Sequence, residues 1–152
     1  MILDMLKQEN VQIVERVSDW KEAIAVSLQS LEEQNYVTKE YGESIIRITE
    51  EMGPYYVLTE DVALIHGRPE SGVREKQLAI TVLRNPIQFS ENSYPVRLLV
   101  ALAATDPESH LSVMQTLAEL FMSEGSINDL VNAEDAKQVY EYLVEFDRKV
   151  QS

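Results

Sequence analysis

The chain contains no cysteine. Disulfide cross-links, thiolate nucleophiles and zinc–sulfur centres are therefore excluded. Histidine is almost as scarce, with two in 152 residues. They form neither an H-x-x-x-H nor an H-x-H pair, so zinc would lack its usual ligand spacing. No metal and no other cofactor is expected. Basic residues number 13 against 26 acidic ones, a formal charge of −13. General nucleic-acid binding needs a basic footprint and is not expected. Adhesion to an anionic membrane is disfavoured for the same reason. The acidic balance suits docking to a basic protein surface, and it serves equally well as a solvated surface.

Long apolar runs are missing too. The longest, VRLLVALAA at 96–104, has the length of a core strand and falls well short of a membrane span. The opening MILDMLKQEN lacks a basic segment before a long apolar run, so it is not expected to be a signal peptide. The default expectation is a cytoplasmic protein. No internal repeat or Pro/Gly-rich linker divides the chain, and one domain is expected over residues 1–152.

Several catalytic signatures are absent as well. There is no G-x-S-x-G elbow for a serine hydrolase. Gly67 and Gly72 have the G-x4-G spacing of a P-loop, but Val73 and Arg74 stand where Lys and Ser/Thr would hold phosphate and magnesium. Nothing among the 26 acidic residues singles out a glycosidase pair.

What is present reads as an ordinary soluble globular composition, 45% hydrophobic and 26% charged. Residues 2–8 read as a short helix and 11–17 as a first strand. Ser18 is the expected cap of a helix with Trp20, Ile24, Leu28 and Leu31 on one face. Thr38 is expected to cap a second, with Tyr41, Ile45, Ile48 and Met52 as its stripe and Gly53-Pro54 as its stop. Short strands follow near 55–58 and 61–65, then LAITVLR at 78–84, closed by Asn85-Pro86. VRLLVALAA reads as a central strand covered on both faces. Asp106-Pro107 opens a helix with an expected stripe of Leu111, Met114, Leu117, Ala118 and Phe121. A short segment at SINDLV precedes a last helix, about 133–149, with Val139, Tyr142, Leu143 and Phe146 inward. The interspersed pattern predicts an α/β fold, a mixed central β-sheet sandwiched by α-helices in a single domain.

The two histidines carry the chemistry on offer. His66 follows the apolar run Val62-Ala63-Leu64-Ile65 and precedes the turn Gly67-Arg68-Pro69. A side chain at a strand end is rigidly supported and still accessible. Imidazole is a nucleophile that is substantially neutral at physiological pH. Arg68 could offer a planar fork to phosphate oxygens. A buried structural imidazole is the competing alternative. His110 lies near the start of the Asp106-Pro107 helix, where free amides can bind an anion. Its competing role is to flank Met114 on the helix. If the strands at 62–65 and 96–104 are parallel neighbours, their carboxyl ends bring His66 and His110 to one edge. Tyr55, Tyr56 and Phe89 are candidates for an apolar rim there, or for the core.

The order and texture of GPYYVLTEDVALIHGRPESGV, LAITVLRNPIQF and PVRLLVALAATDPESHLSVMQTLAELF resemble the enzyme IIA components of the bacterial sugar phosphotransferase system. The mannitol–fructose superfamily is the match, and within it the ascorbate-type branch. The resemblance runs from about residue 5 to 148. Its most specific element is A-[aliphatic]-P-H-[small], present as Ala63-Leu64-Ile65-His66-Gly67; the second is Asp106-Pro107-Glu108-Ser109-His110. The resemblance implies that His66 accepts a phosphoryl group from the histidine-containing phosphocarrier protein. It passes the group to a IIB component, usually to a cysteine, for uptake of a sugar through the IIC membrane transporter. His110 would assist by hydrogen bonding and positioning. Two departures stand out. Ile65 replaces the usual proline, and the family's phosphate-facing arginine has Arg47 as its nearest counterpart. The alternative from another class is a regulatory phosphohistidine module that acts through protein contacts without sugar transport. A homodimer is left open.

Overall fold

The computed structural model describes residues 4–151, with the backbone alone at 109 and 151. In chain order these form strand β1 (Leu6–Val14), helices α1 (Trp20–Glu33) and α2 (Lys39–Met52), and strands β2 (Val57–Thr59) and β3 (Asp61–Ile65). A short 3-10 turn (Pro69–Ser71), strands β4 (Gln77–Gln88) and β5 (Pro95–Ala103), and helices α3 (Pro107–Met122), α4 (Ser126–Val131) and α5 (Ala136–Gln151) complete the described chain. The strands make one sheet in the order β1-β4-β5-β3-β2. It is mixed: β1 runs parallel to β4 and β3 parallel to β5, while β4–β5 and β2–β3 are antiparallel.

The apolar run near residue 100 is central, as its composition requires. Alternate side chains of a strand leave opposite faces. Leu98, Val100 and Leu102 join Val62, Leu64 and Ile80 against Val113, Leu117, Leu130 and Leu143 of α3, α4 and α5. Leu99, Ala101 and Ala103 join Ala63, Ile65 and Ala79 against Ile24, Leu28, Tyr41 and Ile45 of α1 and α2. The α1/α2 face of the sheet is rich in alanine, which lets those helices approach closely. The sandwiched α/β arrangement is therefore the one the sequence predicts.

Local differences have identifiable causes. Where the sequence reads as a helix at 2–8, residues 2 and 3 lie outside the described residues, and strand β1 already runs from Leu6. Lys7, Gln8 and Glu9 are all exposed on this edge strand, and a register shift between Leu6 and Val11 breaks the alternation. The cap of α1 is Asp19 rather than Ser18. Its carboxylate accepts from the Glu22 N–H at 2.8 Å, while Ser18 Oγ donates to the Glu22 side chain at 2.8 Å. β4 continues through Asn85-Pro86 to Gln88, with a register shift between Val82 and Ile87. The β1 pairing ends at Leu83, so Pro86 sits past it and needs no N–H on that side. In α2, Met52 is the last residue of the helix and is 78% exposed. Among the described side chains of α3 the buried ones are Val113, Leu117 and Leu120; Leu111 is 59% exposed and Ala118 is also at the surface.

Leu99 is fully buried at the middle of this arrangement. Leu99→Ala is expected to cost about 2–5 kcal/mol, read as a fall in the urea midpoint, whereas Leu58→Ala at a half-exposed site is expected to stay within about 0.5 kcal/mol. Equal effects at the two positions would contradict this burial pattern.

Candidate active site

Strand parity aims the first histidine. Leu64 faces the α3 side and Ile65 the α2 side. The next side chain, His66, is therefore sent toward α3. Because β3 and β5 are parallel, with Ile65 paired to Ala101, both strands end at the same edge of the sheet. The chain leaving β5 turns straight into α3 at Pro107. The His110 N–H closes the first turn onto the Asp106 carbonyl at 3.2 Å. The two imidazole rings meet there, with centroids 5.8 Å apart and planes inclined by 53°.

The His66 ring is oriented by its own strand. Nδ1 lies 2.7 Å from the Leu64 carbonyl oxygen. A carbonyl can only accept, so Nδ1 carries a proton, and in the neutral ring Nε2 keeps its lone pair. Tyr55 packs edge-on against the ring, centroids 5.5 Å apart, and its hydroxyl donates to the His66 carbonyl at 2.6 Å. Behind the motif, the Gly67 N–H donates to the Tyr41 hydroxyl at 2.9 Å. That hydroxyl donates in turn to the Leu102 carbonyl at 2.8 Å. Burial pushes both phenols up, Tyr41 to about 12, so both keep their protons. The small residue after His66 has a steric cause: a Cβ at Gly67 would come within 3.0 Å of Ile45 Cγ1.

The rings open into a cleft of about 600 Å³, walled by Ile48, Met52, Tyr55 and Arg68 among others. Most of the wall is apolar, and Arg68 is its exposed cation. Arg47 lies on the exposed side of α2 and does not line this cleft. Of the three rim candidates, Tyr55 stands at the cleft, while Tyr56 and Phe89 are buried and stack edge-to-face in the core at 5.4 Å. Tyr41, read from the sequence as one member of a core stripe, has a second role as the hydroxyl that bridges the two strand ends. The available signal was a tyrosine rather than a phenylalanine in an apolar stripe, since a buried phenol needs a partner. Among the described residues no group of three or more His, Asp or Glu side chains is gathered to hold a metal. None of the described helices is long and apolar enough to cross a membrane.

The family model described as "Phosphoenolpyruvate-dependent sugar phosphotransferase system, EIIA 2" matches residues 4–146. The chain belongs to this family. IIA components of this system are phosphotransferases that carry phosphate on a histidine to a IIB component, and this chain is such a phosphotransferase. It is 34% identical over 140 residues to a mannitol-specific cryptic phosphotransferase enzyme IIA component of Escherichia coli strain K12, covering 92% of this chain and 95% of that one. An ascorbate-specific PTS system EIIA component of Salmonella choleraesuis is 29% identical over 143 residues, covering 92% and 93%. The solution structure of the cryptic mannitol IIA component of Escherichia coli superposes with a TM-score of 0.88 at 33% identity, covering 95% of this chain and 98% of that one.

The second histidine of this IIA chain has a distinct electrostatic setting. Burial, and secondarily the neighbouring His66, pushes His110 below the ordinary imidazole value. A histidine depressed in this way binds fewer protons folded than unfolded. Its effect on stability is favourable above the ordinary value and is lost as pH falls from there toward the depressed one. A ring-proton NMR titration is expected to give His110 a midpoint below the ordinary imidazole value. In His66→Ala that midpoint should rise only partway, because burial is the larger cause. A midpoint at or above the ordinary value in the intact protein would contradict this environment.

Proposed function

We propose that His66 is the phosphoryl carrier of this IIA component, over a domain spanning residues 1–152, and that it acts in the cytoplasm. The histidine-containing phosphocarrier protein is the donor and a IIB component the acceptor, with a IIC membrane transporter downstream. The observation that carries this is the ring pair: an imidazole with Nδ1 anchored on a carbonyl, the opposite nitrogen left as the nucleophile, and His110 beside it.

The chemistry follows from that tautomer. The His66 Nε2 lone pair attacks the phosphorus of the donor phosphohistidine, and the donor's N–P bond breaks as the new one forms. The proton stays on Nδ1, so the phosphorylated ring is cationic and its N–H points at the Leu64 carbonyl. That charge keeps the ring a good leaving group for the second transfer, in which a nucleophile of the IIB component takes the phosphoryl group. Transfer of this kind asks mainly for alignment and for neutralisation of the phosphoryl oxygens. His110 serves as a hydrogen-bond donor and spacer. Arg68 is the cation at the cleft wall and the first choice for the phosphoryl oxygens. Arg47 stands farther from the cleft wall, so Arg47→Ala should slow labelling less than Arg68→Ala. The apolar rim of Ile48, Met52 and Tyr55 gives a partner a surface to exclude water from. A net charge of −13 favours a basic partner and salt-sensitive association.

The coupled sugar belongs to the membrane component. Ascorbate and mannitol are the two compounds that the relatives' names carry, with the mannitol-type relative at 34% identity and the ascorbate-type one at 29%. Membrane vesicles holding cognate IIB and IIC components decide between them. They also separate transport from the regulatory alternative, in which phosphate reaches no sugar.

Incubation with phosphoenolpyruvate, enzyme I and the phosphocarrier should place acid-labile phosphate on residue 66. His66→Ala should abolish the label. His110→Ala should keep it and slow onward transfer about tenfold, the scale of one lost hydrogen bond. Label mapped to residue 110 would reverse the two roles.

A further inference from the structure

We propose that Tyr41 is a positioning residue for phosphoryl transfer, its hydroxyl replacing the next rung between β3 and β5 and setting the spacing of the two histidines. The proposal rests on His66 as the carrier.

The direction of the backbone groups carries it. Successive residues of a strand point their N–H and C=O to opposite neighbours. The Leu64 N–H bonds the Tyr56 carbonyl, on the β2 side. Ile65 therefore points to β5, His66 back toward β2, and Gly67 to β5 again. The His66 carbonyl obeys this order, since it accepts from Tyr55, the residue beside Tyr56. With Ile65 paired to Ala101, the parallel ladder would next join the Gly67 N–H directly to the Leu102 carbonyl. The Tyr41 hydroxyl stands between those two groups instead, at 2.9 Å from one and 2.8 Å from the other. One rung has become two bonds through an oxygen, and the strands part at that point.

The consequences lie in the site itself. Tyr41, Gly67 and Leu102 all line the cleft that opens between the strand ends. A direct Gly67–Leu102 rung would draw the chain just after His66 toward the chain that leads to His110. Tyr41 cannot drift, because it is 1% exposed and packed in the α2 face of the core. The turn is also pinned farther on, where the Thr38 N–H donates to the Gly72 carbonyl at 2.8 Å. A Cβ at Gly72 would lie 2.2 Å from Thr38 Oγ1, so that contact is fitted to glycine. The start of α2 thus holds both sides of the His66 turn, and the hydroxyl is the part that sets ring spacing.

Tyr41→Phe keeps the ring and removes the hydroxyl. Phosphoramidate serves as a small donor that needs no docking surface: its N–P bond breaks, a bond from His66 Nε2 to phosphorus forms, and ammonia leaves. Relative to wild type, the variant is expected to be labelled about tenfold more slowly, as misplacement of a reacting group predicts. Its KM for the phosphocarrier should be unchanged, and the Gly67 amide resonance and the His110 titration midpoint should both move. Ile24→Val, a core change in α1, should lower stability and leave the labelling rate alone. In wild type the Gly67 amide should be protected from hydrogen exchange; rapid exchange overturns the bridge whether or not the variant folds. Equal labelling rates in Tyr41→Phe and wild type, with both NMR signals unmoved, overturn the proposal and leave His66 standing as carrier. A defect confined to KM for the phosphocarrier assigns Tyr41 to docking and also overturns it. Absence of label at His66 in wild type with both donors overturns the proposal and the carrier assignment together.

Discussion

The parallel pairing of β3 with β5 places every group that matters in the cleft. Two strands running the same way end at the same edge, and each is followed within a few residues by one of the chain's two histidines. Strand parity then turns His66 toward α3, whose first turn carries His110. An antiparallel β3–β5 pair would put the rings at opposite ends of the sheet. A one-residue slip in β3 would aim His66 into the α2 side of the core. Such a slip would also move Val62 and Leu64 out of the α3 layer and into the alanine-rich α1/α2 layer, which is packed for smaller side chains.

Within that frame, short polar contacts do the fine work. A neutral hydrogen bond contributes about 1 kcal/mol net, enough to bias a two-state choice about fivefold. The bond from His66 Nδ1 to Leu64 selects a tautomer, the Tyr55 bond fixes the His66 carbonyl, and the Tyr41 bridge spaces the strand ends. These contacts bear on Ile65, which stands where the family motif has proline. A proline would remove a backbone donor just before the histidine. Ile65 instead is fully buried and stays in register with Ala101, so the strand persists to the residue before His66. Restraint beyond that point comes from two tyrosines and a ring nitrogen.

The sandwiched sheet, the central position of VRLLVALAA and the meeting of the two histidines could be read from the chain, because each rests on a local pattern with one physical outcome. A nine-residue apolar strand has to be covered on both faces, and β5 is. Where solvent sets the pattern the signal fails. The exposed, bulged stretch Lys7–Glu9 hides an edge strand, and Pro86 ends nothing because no strand claims its missing N–H. Helical spacing alone put Met52 and Leu111 inside, yet both stand at the surface: Met52 is the last residue of α2, and Leu111 lies off the Val113-Leu117-Leu120 face of α3. Hydroxyl contacts were the least legible. Tyr41 carried the right spacing for a core stripe, and its bridging role depends on two backbone groups 35 residues apart (Gly67 and Leu102) that no local pattern relates.

The central claim is that the His66 ring presents Nε2 as its nucleophile because Leu64 holds the proton on Nδ1. Nitrogen-15 NMR of the ring, recorded at a pH where it is neutral and again after phosphorylation, tests this most directly. The account predicts a protonated Nδ1 and a bare Nε2 in the free protein, with phosphorus bonded to Nε2 afterwards. A proton on Nε2, or phosphorus on Nδ1, would contradict it.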